Sequence, residues 1–549
     1  MKRAVVSLGA LVGGLLTAPM IVLMYLGDLL AGLPFAPFDL FNWISRLLPG
    51  PVITFGIDLM IDTLLFLGVD VADTAKLAEQ GMAISLFFAI GVVSGAIFFL
   101  ILDIRRIRVD RFTGLVIGAI FGLPIVTISI ALGTYSANPV VSFLWLLALF
   151  LAWGWALSWS YRRLFAEQLA VPAGEGEAVE GEVRRAQRID RRQFLIYLGG
   201  SAAAITVVGS GVGAMLSRQQ QQAREEALDD SMAHLAEGPE GAPFPNANDP
   251  VTPAPGTRPE YTPLKDHYKV FIELEPTEID GDTWQLPVTG MVDNPLMLTL
   301  DDLRNNYPAR DQYVTLSCIS GRIATTLIST TFWTGTSVQN ILADAQVQEG
   351  ARYMVITSGD GYYETVDLEL IAAEERIMFC YGWDGNPLPV DHGFPLRIWI
   401  PDRFGMKQPK WITGIEITDE YREGYWVERG WDELAQVKTT SVIDTVAVDA
   451  VIENGDQRLV PIGGIAFSGA RGISKVELRV DGGEWQEAQL RSPLSETTWV
   501  IWRYDWPFQE GRHTFEVRCA EADGAPQIEE VQPNRPSGAT GLHSREVDV

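Results

Sequence analysis

Cysteine, histidine and positive charge are all scarce in this chain of 549 residues. Its three cysteines, Cys318, Cys380 and Cys519, exclude a disulfide-rich framework. The five histidines begin only at His234, which excludes a haem held by two histidines anywhere before that residue. The net charge of -27 argues against nucleic acid as a partner, because binding phosphates needs a basic face.

Apolar residues are concentrated before residue 217, where five runs are long enough to cross a bilayer, which takes about twenty residues. These runs are 4–27, 82–102, 115–134, 140–160 and 194–216. They predict an α-helical membrane region at 1–216. The run 51–69 contains Asp58 and Asp62, which favours an interfacial or re-entrant helix over a further span.

Arginines indicate how these runs are oriented, because basic loops stay in the cytoplasm. They cluster at 105–111 and again at 162–192. With five spans, the N-terminus lies inside and the rest of the chain outside, so we expect a multi-pass protein of the plasma membrane with an extracytoplasmic soluble half. Arg191 and Arg192 precede the last run and resemble a twin-arginine export motif. The alternative is that they are only its cytoplasmic flank.

The remaining chain divides by composition into three parts. Residues 217–262 are rich in Gln, Glu, Gly and Pro, which predicts a flexible linker. Residues 263–435 mix short strands, turns and a few helices, which is typical of an α+β domain. Residues 436–549 predict an all-β sandwich, because alternating strands such as 476–480 are joined by turns such as Asp-Gly-Gly at 481–483.

One segment of the α+β part carries most of the chemical information. Residues 391–397 read Asp-His-Gly-Phe-Pro-Leu-Arg, and Lys407 and Lys410 follow. Cations clustered among buried-looking strands require an anion, because an unpaired buried charge is very costly. Upstream, Cys318 stands between a β-type run and a turn-prone Ser-Gly pair.

Together with 332–335, 358–362 and 385–389, these segments resemble the sulfite oxidase family of molybdopterin enzymes over essentially all of 263–549. The resemblance implies a molybdopterin-binding domain at 263–435. It also implies an immunoglobulin-like domain at 436–549, through which a homodimer is expected. The Cys318 thiolate would be the single protein ligand of molybdenum in the molybdenum cofactor. The residues implied to hold the pterin and its phosphate are His392, Arg397, Lys407 and Lys410.

The chain departs from the family pattern at two cations. The family follows its cysteine with Ala-Gly-Asn-Arg-Arg, whereas 319–323 read Ile-Ser-Gly-Arg-Ile. Ile323 therefore replaces an arginine that faces the anion, and a second family arginine falls at Val270. Arg322 is the candidate catalytic cation, and Arg403 and Arg471 could also compensate, with a surface or salt-bridged role as the alternative for each. Fewer cations favour a substrate that is neutral or bulkier than free sulfite.

The resulting functional prediction is two-electron oxo transfer on a small sulfur- or nitrogen-containing substrate. Reduction of an S- or N-oxide and oxidation of a sulfur compound both remain open. Since no haem domain is recognisable, electrons would pass to or from a quinone or cytochrome. The alternative is a cofactor-free binding or interaction module on a membrane anchor, against which the retained Cys318, His392 and Arg397 argue. A transporter is disfavoured because the main spans contain almost no polar groups.

Overall fold

The computed structural model of the chain describes residues 2–66, 71–105, 111–133, 135, 137–165, 177–232, 243–455 and 457–549. It divides into two compact units. The first comprises Met1–Leu48 and Thr74–Asp229, and the second comprises Pro49–Asp73 and Asp230–Val549.

Helices make up most of the described residues up to Met232. In chain order they are α1 (Lys2–Ala31), α2 (Ala36–Leu47), α3 (Gly50–Phe66), α4 (Val71–Arg105), α5 (Arg111–Leu132), α6 (Pro139–Phe165) and α7 (Glu177–Met232). Among the described residues, five helical stretches are long and apolar enough to cross a membrane: Val5–Ala31, Lys76–Ile104, Phe112–Leu132, Pro139–Phe165 and Arg192–Gln219. Each overlaps one of the five predicted runs, while their direction across a membrane stays a prediction. The arginine loop at 106–110 and residues 166–176 lie outside the described residues.

The first unit is held together by close helix packing. Helices α1 and α4 approach so closely that a Cβ on Gly13 would lie 2.6 Å from the carbonyl oxygen of Gly91. The Thr17 hydroxyl donates to the Gly13 carbonyl at 2.7 Å and accepts from Trp153 Nε1 at 3.0 Å. This pair of bonds satisfies polar groups inside an apolar core.

Helix α3 occupies most of the run 51–69, for which an interfacial or re-entrant helix is predicted. Val52, Phe55 and Leu59 are exposed along it, and so is Phe66 at its end. Residues 67–70 lie outside the described part of the chain. Contact of α3 with a membrane surface therefore stays a prediction.

The α+β part contains two five-stranded sheets and three short helices. Its elements are β1 (Leu286–Gly290), β2 (Leu296–Leu298), α8 (Leu300–Asn305), β3 (Arg310–Ser317), β4 (Ile328–Ser337), α9 (Val338–Ala345), β5 (Tyr353–Ser358), β6 (Tyr363–Asp367), α10 (Leu368–Ala373), β7 (Met378–Trp383), β8 (Asn386–Pro387), β9 (Arg397–Trp399) and β10 (Ile412–Thr418). One sheet has the order β2-β1-β10-β5-β6, and the other has β3-β4-β7-β8 with β9 also on β7. Strands β1 and β10 pair in parallel, with Val288 opposite Ile415. A single core joins both sheets, since Val288, Ile415 and Phe379 belong to one buried cluster.

The C-terminal part is a domain of two antiparallel sheets. Its strands are β11 (Thr440–Val446), β12 (Ile452–Asn454), β13 (Gln457–Phe467), β14 (Ile473–Val480), β15 (Gln486–Glu487), β16 (Gln489–Leu490), β17 (Val500–Pro507), β18 (Arg512–Glu521) and β19 (His543–Asp548). The sheet orders are β11-β13-β17-β16, with β12 on β13, and β15-β14-β18-β19. Trp502 of the first sheet and Phe515 of the second share one buried core. The expected turn follows β14, where Asp481 and Gly482 both have positive φ.

The segment predicted as a flexible linker, 217–262, has a different character in its described parts. It is helical up to Met232, and residues 233–242 lie outside the described residues. From residue 243 it packs on the C-terminal domain. Asn246 Nδ2 donates to the Ser492 carbonyl at 2.6 Å, and Arg491 Nη1 donates to the Val251 carbonyl at 2.8 Å. Its polar composition is therefore used in hydrogen bonds that hold it against the domain.

Candidate cofactor site

The predicted metal ligand, Cys318, begins the loop that joins β3 to β4. Its N–H donates to the Leu327 carbonyl at 3.0 Å, which closes the loop 318–327. The loop packs closely at Gly321, where a Cβ would lie 2.7 Å from Thr325 Cγ2 and 3.2 Å from the Cys318 carbonyl oxygen. Cys318 Sγ lies 3.0 Å from the Ser320 hydroxyl. Burial raises the pKa of the Cys318 thiol, and the bonds from Ser320 oppose that rise.

The predicted pterin-binding residues His392 and Arg397 lie side by side. Both are buried, at 2% and 3% exposure. Arg397 Nη1 donates to the His392 carbonyl at 3.1 Å, and its guanidinium lies 4.3 Å from the centre of the Trp333 ring. Gly393 has φ +112°, and a Cβ on it would meet Lys410 Cβ at 2.9 Å. This glycine therefore allows the His392 turn to approach the segment that carries Lys410.

A histidine that sequence reasoning missed, His267, joins this cluster. Its ring centre lies 4.9 Å from that of His392 and 4.8 Å from that of Trp383. His267 Nδ1 donates to the Tyr268 carbonyl at 3.1 Å, so Nε2 of the neutral ring is an acceptor. The only signal in the sequence was the rarity of histidine, because His267 lies in no segment of the family pattern described above.

The charges of this cluster come from its arginine and lysine. Burial, together with the charges of Arg397, Lys410 and Lys269, lowers the pKa of His267 to about 3. The pKa of His392 is likewise well below its usual value, first because of burial. Burial also lowers the pKa of Arg397 to about 10, which leaves it a cation at neutral pH. Two neutral rings thus stand beside a buried guanidinium.

The cluster has the polar atoms needed to hold a pterin and its phosphate. Within the described residues, Nε2 of His267, Nε2 of His392 and Nε of Arg397 are buried without a hydrogen-bond partner. Such atoms are costly unless a ligand supplies partners. Arg397 Nε can donate to an anion, and His267 Nε2 can accept from a ring N–H. A heterocycle that carries a phosphate has both kinds of partner, so the residues fit the molybdenum cofactor.

The two predicted lysines are placed differently. Lys410 Nζ donates to the Asp391 carbonyl at 3.2 Å and lies 4.6 Å from the centre of the Trp411 ring, beside the cluster. Lys407 is buried, and its Nζ lies 2.6 Å from Glu364 Oε1 and 2.9 Å from the Thr365 carbonyl. The structure thus pairs Lys407 with a carboxylate of the chain itself.

Tyr268 connects the cluster to Cys318. Its hydroxyl is buried without a partner among the described residues. Burial raises its pKa well above the usual value, the charge of Cys318 raises it further, and that of Arg397 opposes this. The Tyr268 ring stacks on His267 with 5.3 Å between ring centres, and its hydroxyl and the Ser317 carbonyl both lie next to Gly405. The cluster therefore adjoins the end of β3 that precedes Cys318.

Cys318 lines a pocket of about 500 Å³. Arg322, the candidate catalytic cation, lines it together with Ile323 and Lys438. Phe467 of the C-terminal domain also lines it, so both domains shape the approach to the thiol. The pocket has a half-buried nucleophilic sulfur, cations and an apolar wall, which suits a small polar molecule with an apolar portion.

Comparison with known proteins defines the class. Residues 273–426 match the oxidoreductase molybdopterin binding domain, and residues 432–538 match the Mo-co oxidoreductase dimerisation domain. The two matched domains are those of molybdenum-dependent oxidoreductases whose cofactor is molybdopterin. The chain belongs to the sulfite oxidase family, which confirms the prediction from its motifs.

Individual relatives cover only part of the chain. It is 27% identical over 289 residues to mitochondrial sulfite oxidase of Homo sapiens, covering 45% of this chain and 53% of that protein. It is 28% identical over 256 residues to nitrate reductase [NADPH] of Fusarium oxysporum, covering 38% and 28%. The chain thus spans about half the length of the sulfite oxidases it matches. Among solved structures, the sulfane dehydrogenase SoxCD of Paracoccus pantotrophus aligns with TM-score 0.46 and 17% identity, covering 54% of this chain and 86% of that one.

Proposed function

We propose that this protein is a membrane-anchored molybdopterin oxidoreductase that performs two-electron oxo transfer on a small sulfur- or nitrogen-containing substrate outside the cytoplasm. One observation carries the proposal. A cysteine lines a pocket, and the same domain holds a buried cluster in which His267 Nε2, His392 Nε2 and Arg397 Nε have no hydrogen-bond partner among the described residues. The first feature suits a metal ligand that substrate must approach, and the second suits an enclosed cofactor.

The residues divide into two groups. Cys318 ligates the metal through its thiolate, the ligand type that molybdenum prefers. Arg397, His392 and Lys410 hold the phosphate and the pterin, and His267 accepts a hydrogen bond from the pterin ring. Lys407 supports the site indirectly, because its pair with Glu364 fixes the segment that carries Lys410. When bound, the cofactor supplies the metal at which an oxygen atom and two electrons are exchanged.

The pocket residues orient the substrate. Arg322 is in place to attract an electronegative oxygen atom, and Ile323 offers an apolar contact where the family has an arginine. This combination favours a substrate that is neutral or bulkier than free sulfite. Reduction of an S- or N-oxide and oxidation of a sulfur compound fit the pocket equally well.

The setting of the enzyme is proposed from the rest of the chain. Five stretches of membrane-spanning length and the arginine clusters at 105–111 and 162–192 support a plasma-membrane anchor with the catalytic domain outside. Export after cofactor loading, with Arg191 and Arg192 as a twin-arginine signal, would suit that location. A quinone or cytochrome exchanges the electrons. The family match at 432–538 supports a homodimer, and two antiparallel sheets support an immunoglobulin-like topology for 436–549.

The first experiment measures molybdenum by plasma mass spectrometry, and released pterin by fluorescence, in the full chain from a cofactor-competent host. We expect about one molybdenum per chain, as for a dedicated metal site. Dye-linked sulfite oxidation and dimethyl sulfoxide reduction are then assayed. Cys318→Ala should abolish turnover while the pterin is retained. Cys519→Ala, a buried cysteine of the C-terminal domain, is the matched control and should behave as wild type.

A wild type with neither metal nor pterin would refute the redox proposal. The cofactor-free interaction module would then take its place.

A further inference from the structure

The Cys318 loop is held by the C-terminal domain at two successive residues. Asn534 Nδ2 donates to the Ser320 carbonyl at 2.5 Å, across 214 residues of sequence. The neighbouring Ile319 is 4% exposed and is buried with Val437 and Ile465. Residues outside the α+β domain therefore bond to Ser320 and enclose part of Ile319.

The backbone carbonyl and the side-chain hydroxyl of Ser320 contact different partners. Its carbonyl accepts from Asn534, while its hydroxyl lies 3.0 Å from Cys318 Sγ. A thiolate can only accept hydrogen bonds, so in the metal-ligating form of Cys318 this hydroxyl is the donor. The orientation of one residue thus links Asn534 to the sulfur.

The segment that carries Asn534 is itself anchored. The Asn534 carbonyl accepts from Gly538 N at 2.7 Å, and the Pro536 carbonyl accepts from Asp432 N at 3.1 Å. The Arg535 guanidinium lies 4.6 Å from the centre of the Trp431 ring. The position of Asn534 is thus fixed by contacts other than its bond to Ser320.

We propose that Asn534 is a positioning residue that directs the Ser320 hydroxyl toward Cys318 Sγ, so that the C-terminal domain tunes the sulfur ligand of the metal. The inference rests on the proposed function, because it needs a metal on Cys318. A hydrogen bond to a ligating thiolate withdraws electron density from the sulfur and stabilises the reduced metal, which raises its reduction potential. Loss of that bond should therefore lower the potential.

The test compares four variants of the full-length enzyme. Asn534→Asp keeps the shape but places a carboxylate oxygen where the donor was, and Ser320→Ala removes the hydroxyl. The double variant is the third. Gln532→Ala, an exposed residue of the same segment, is the control. Molybdenum content, the Mo(V) electron paramagnetic resonance spectrum and the midpoint potential are measured for each.

We expect metal contents within twofold of wild type. Ser320→Ala and Asn534→Asp should both shift the resonance spectrum and lower the midpoint potential, whereas Gln532→Ala should not. The double variant should shift no further than Ser320→Ala alone, because Asn534 acts through that hydroxyl. An unchanged spectrum and potential in fully loaded Asn534→Asp would overturn the proposal, and so would additive shifts in the double variant.

Hydrogen exchange on the cofactor-free protein tests the contact between Asn534 and the Cys318 loop without a bound metal, and so independently of the proposed function. Asn534→Asp should speed exchange of residues 318–327 severalfold, while Ser320→Ala should leave it near wild type. Equal exchange in wild type and Asn534→Asp would show that the contact does not hold the loop, which overturns the proposal. A wild type that binds no metal would instead overturn the proposed function, and the tuning with it.

Discussion

The α+β domain buries cations at two places, and it compensates their charge differently. Lys407 and Glu364 are buried together, 7% and 0% exposed, with 2.6 Å between Nζ and Oε1. In the cluster of His267, His392 and Arg397, the guanidinium instead bonds a carbonyl and faces an indole ring. The first site supplies its counter-charge from the chain, whereas the second suits a ligand that supplies it. A buried cation alone therefore does not indicate a binding site. It does so only when the chain supplies no carboxylate to neutralise it.

The largest effect is expected from breaking the compensated pair. Glu364→Ala leaves the Lys407 ammonium buried without its carboxylate, which should cost about 3–5 kcal/mol of unfolding free energy. Urea unfolding of the full chain in detergent, followed by tryptophan fluorescence, measures it. The double variant Glu364→Leu/Lys407→Met is the control and should recover most of the loss. If Glu364→Ala were as stable as wild type, Glu364 would not be needed to neutralise the buried Lys407.

Removing the cation of the uncompensated cluster should not destabilise the cofactor-free protein. Arg397→Met removes a buried charge and the proposed donor to the cofactor phosphate, so molybdenum content should fall at least tenfold, equivalent to about 1.4 kcal/mol of binding free energy. The cofactor-free variant should nevertheless unfold at or above the temperature of cofactor-free wild type. Metal analysis and differential scanning fluorimetry measure the two quantities. A variant that keeps its metal, or that unfolds early, would remove the contrast between the two sites.

Acid should destabilise the cofactor-free cluster. Above pH 6.5, His267 is neutral in both the folded and the unfolded chain and contributes nothing to the pH dependence. Below pH 6.5 only the unfolded chain takes up the proton, until pH falls to about 3. Stability should thus decrease as pH falls through this window, by about 2 kcal/mol at pH 5 for His267 alone. Unfolding of His267→Gln should show a flatter profile than wild type. Equal slopes would contradict the depressed pKa.

The smallest effect is expected at the exposed edge of the same cluster. The Lys269 and Asp391 side chains lie 2.7 Å apart and are 44% and 26% exposed. Solvent and salt screen such a pair, so Lys269→Ala should change the unfolding free energy by less than about 1 kcal/mol. Urea unfolding at low and high salt checks this. A loss comparable to that of Glu364→Ala would mean that exposure does not distinguish these pairs.

Local sequence predicted the residues that meet through short stretches of chain. His392 and Arg397 adjoin because they are only five positions apart, at the end of one turn and the start of β9. Cys318 and Arg322 line one pocket because they share a loop. The contacts of Glu364 with Lys407 and of Asn534 with Ser320 could not be predicted, since they depend on how distant strands are arranged. His267 was missed for the same reason.

Amino-acid composition does not always predict whether a segment is flexible or packed on a domain. Residues 243–262 are polar and rich in proline, which is typical of a tether, yet Arg491 binds their carbonyl groups. A polar segment is held wherever a folded domain presents donors to its backbone, and composition cannot reveal those donors.

The parallel pairing of β1 with β10 has a consequence for how the protein is made. Trp284 Nε1 donates to the Ile412 carbonyl, 128 residues further along the chain. Contacts of such sequence separation form late and slowly, because a long loop must close first. Until β10 has been synthesised, β1 lacks the strand that connects it to β5 and β6 in the sheet. The segment 391–411 is translated immediately before β10, so His392, Arg397 and the two lysines that follow are made before β1 can gain that neighbouring strand.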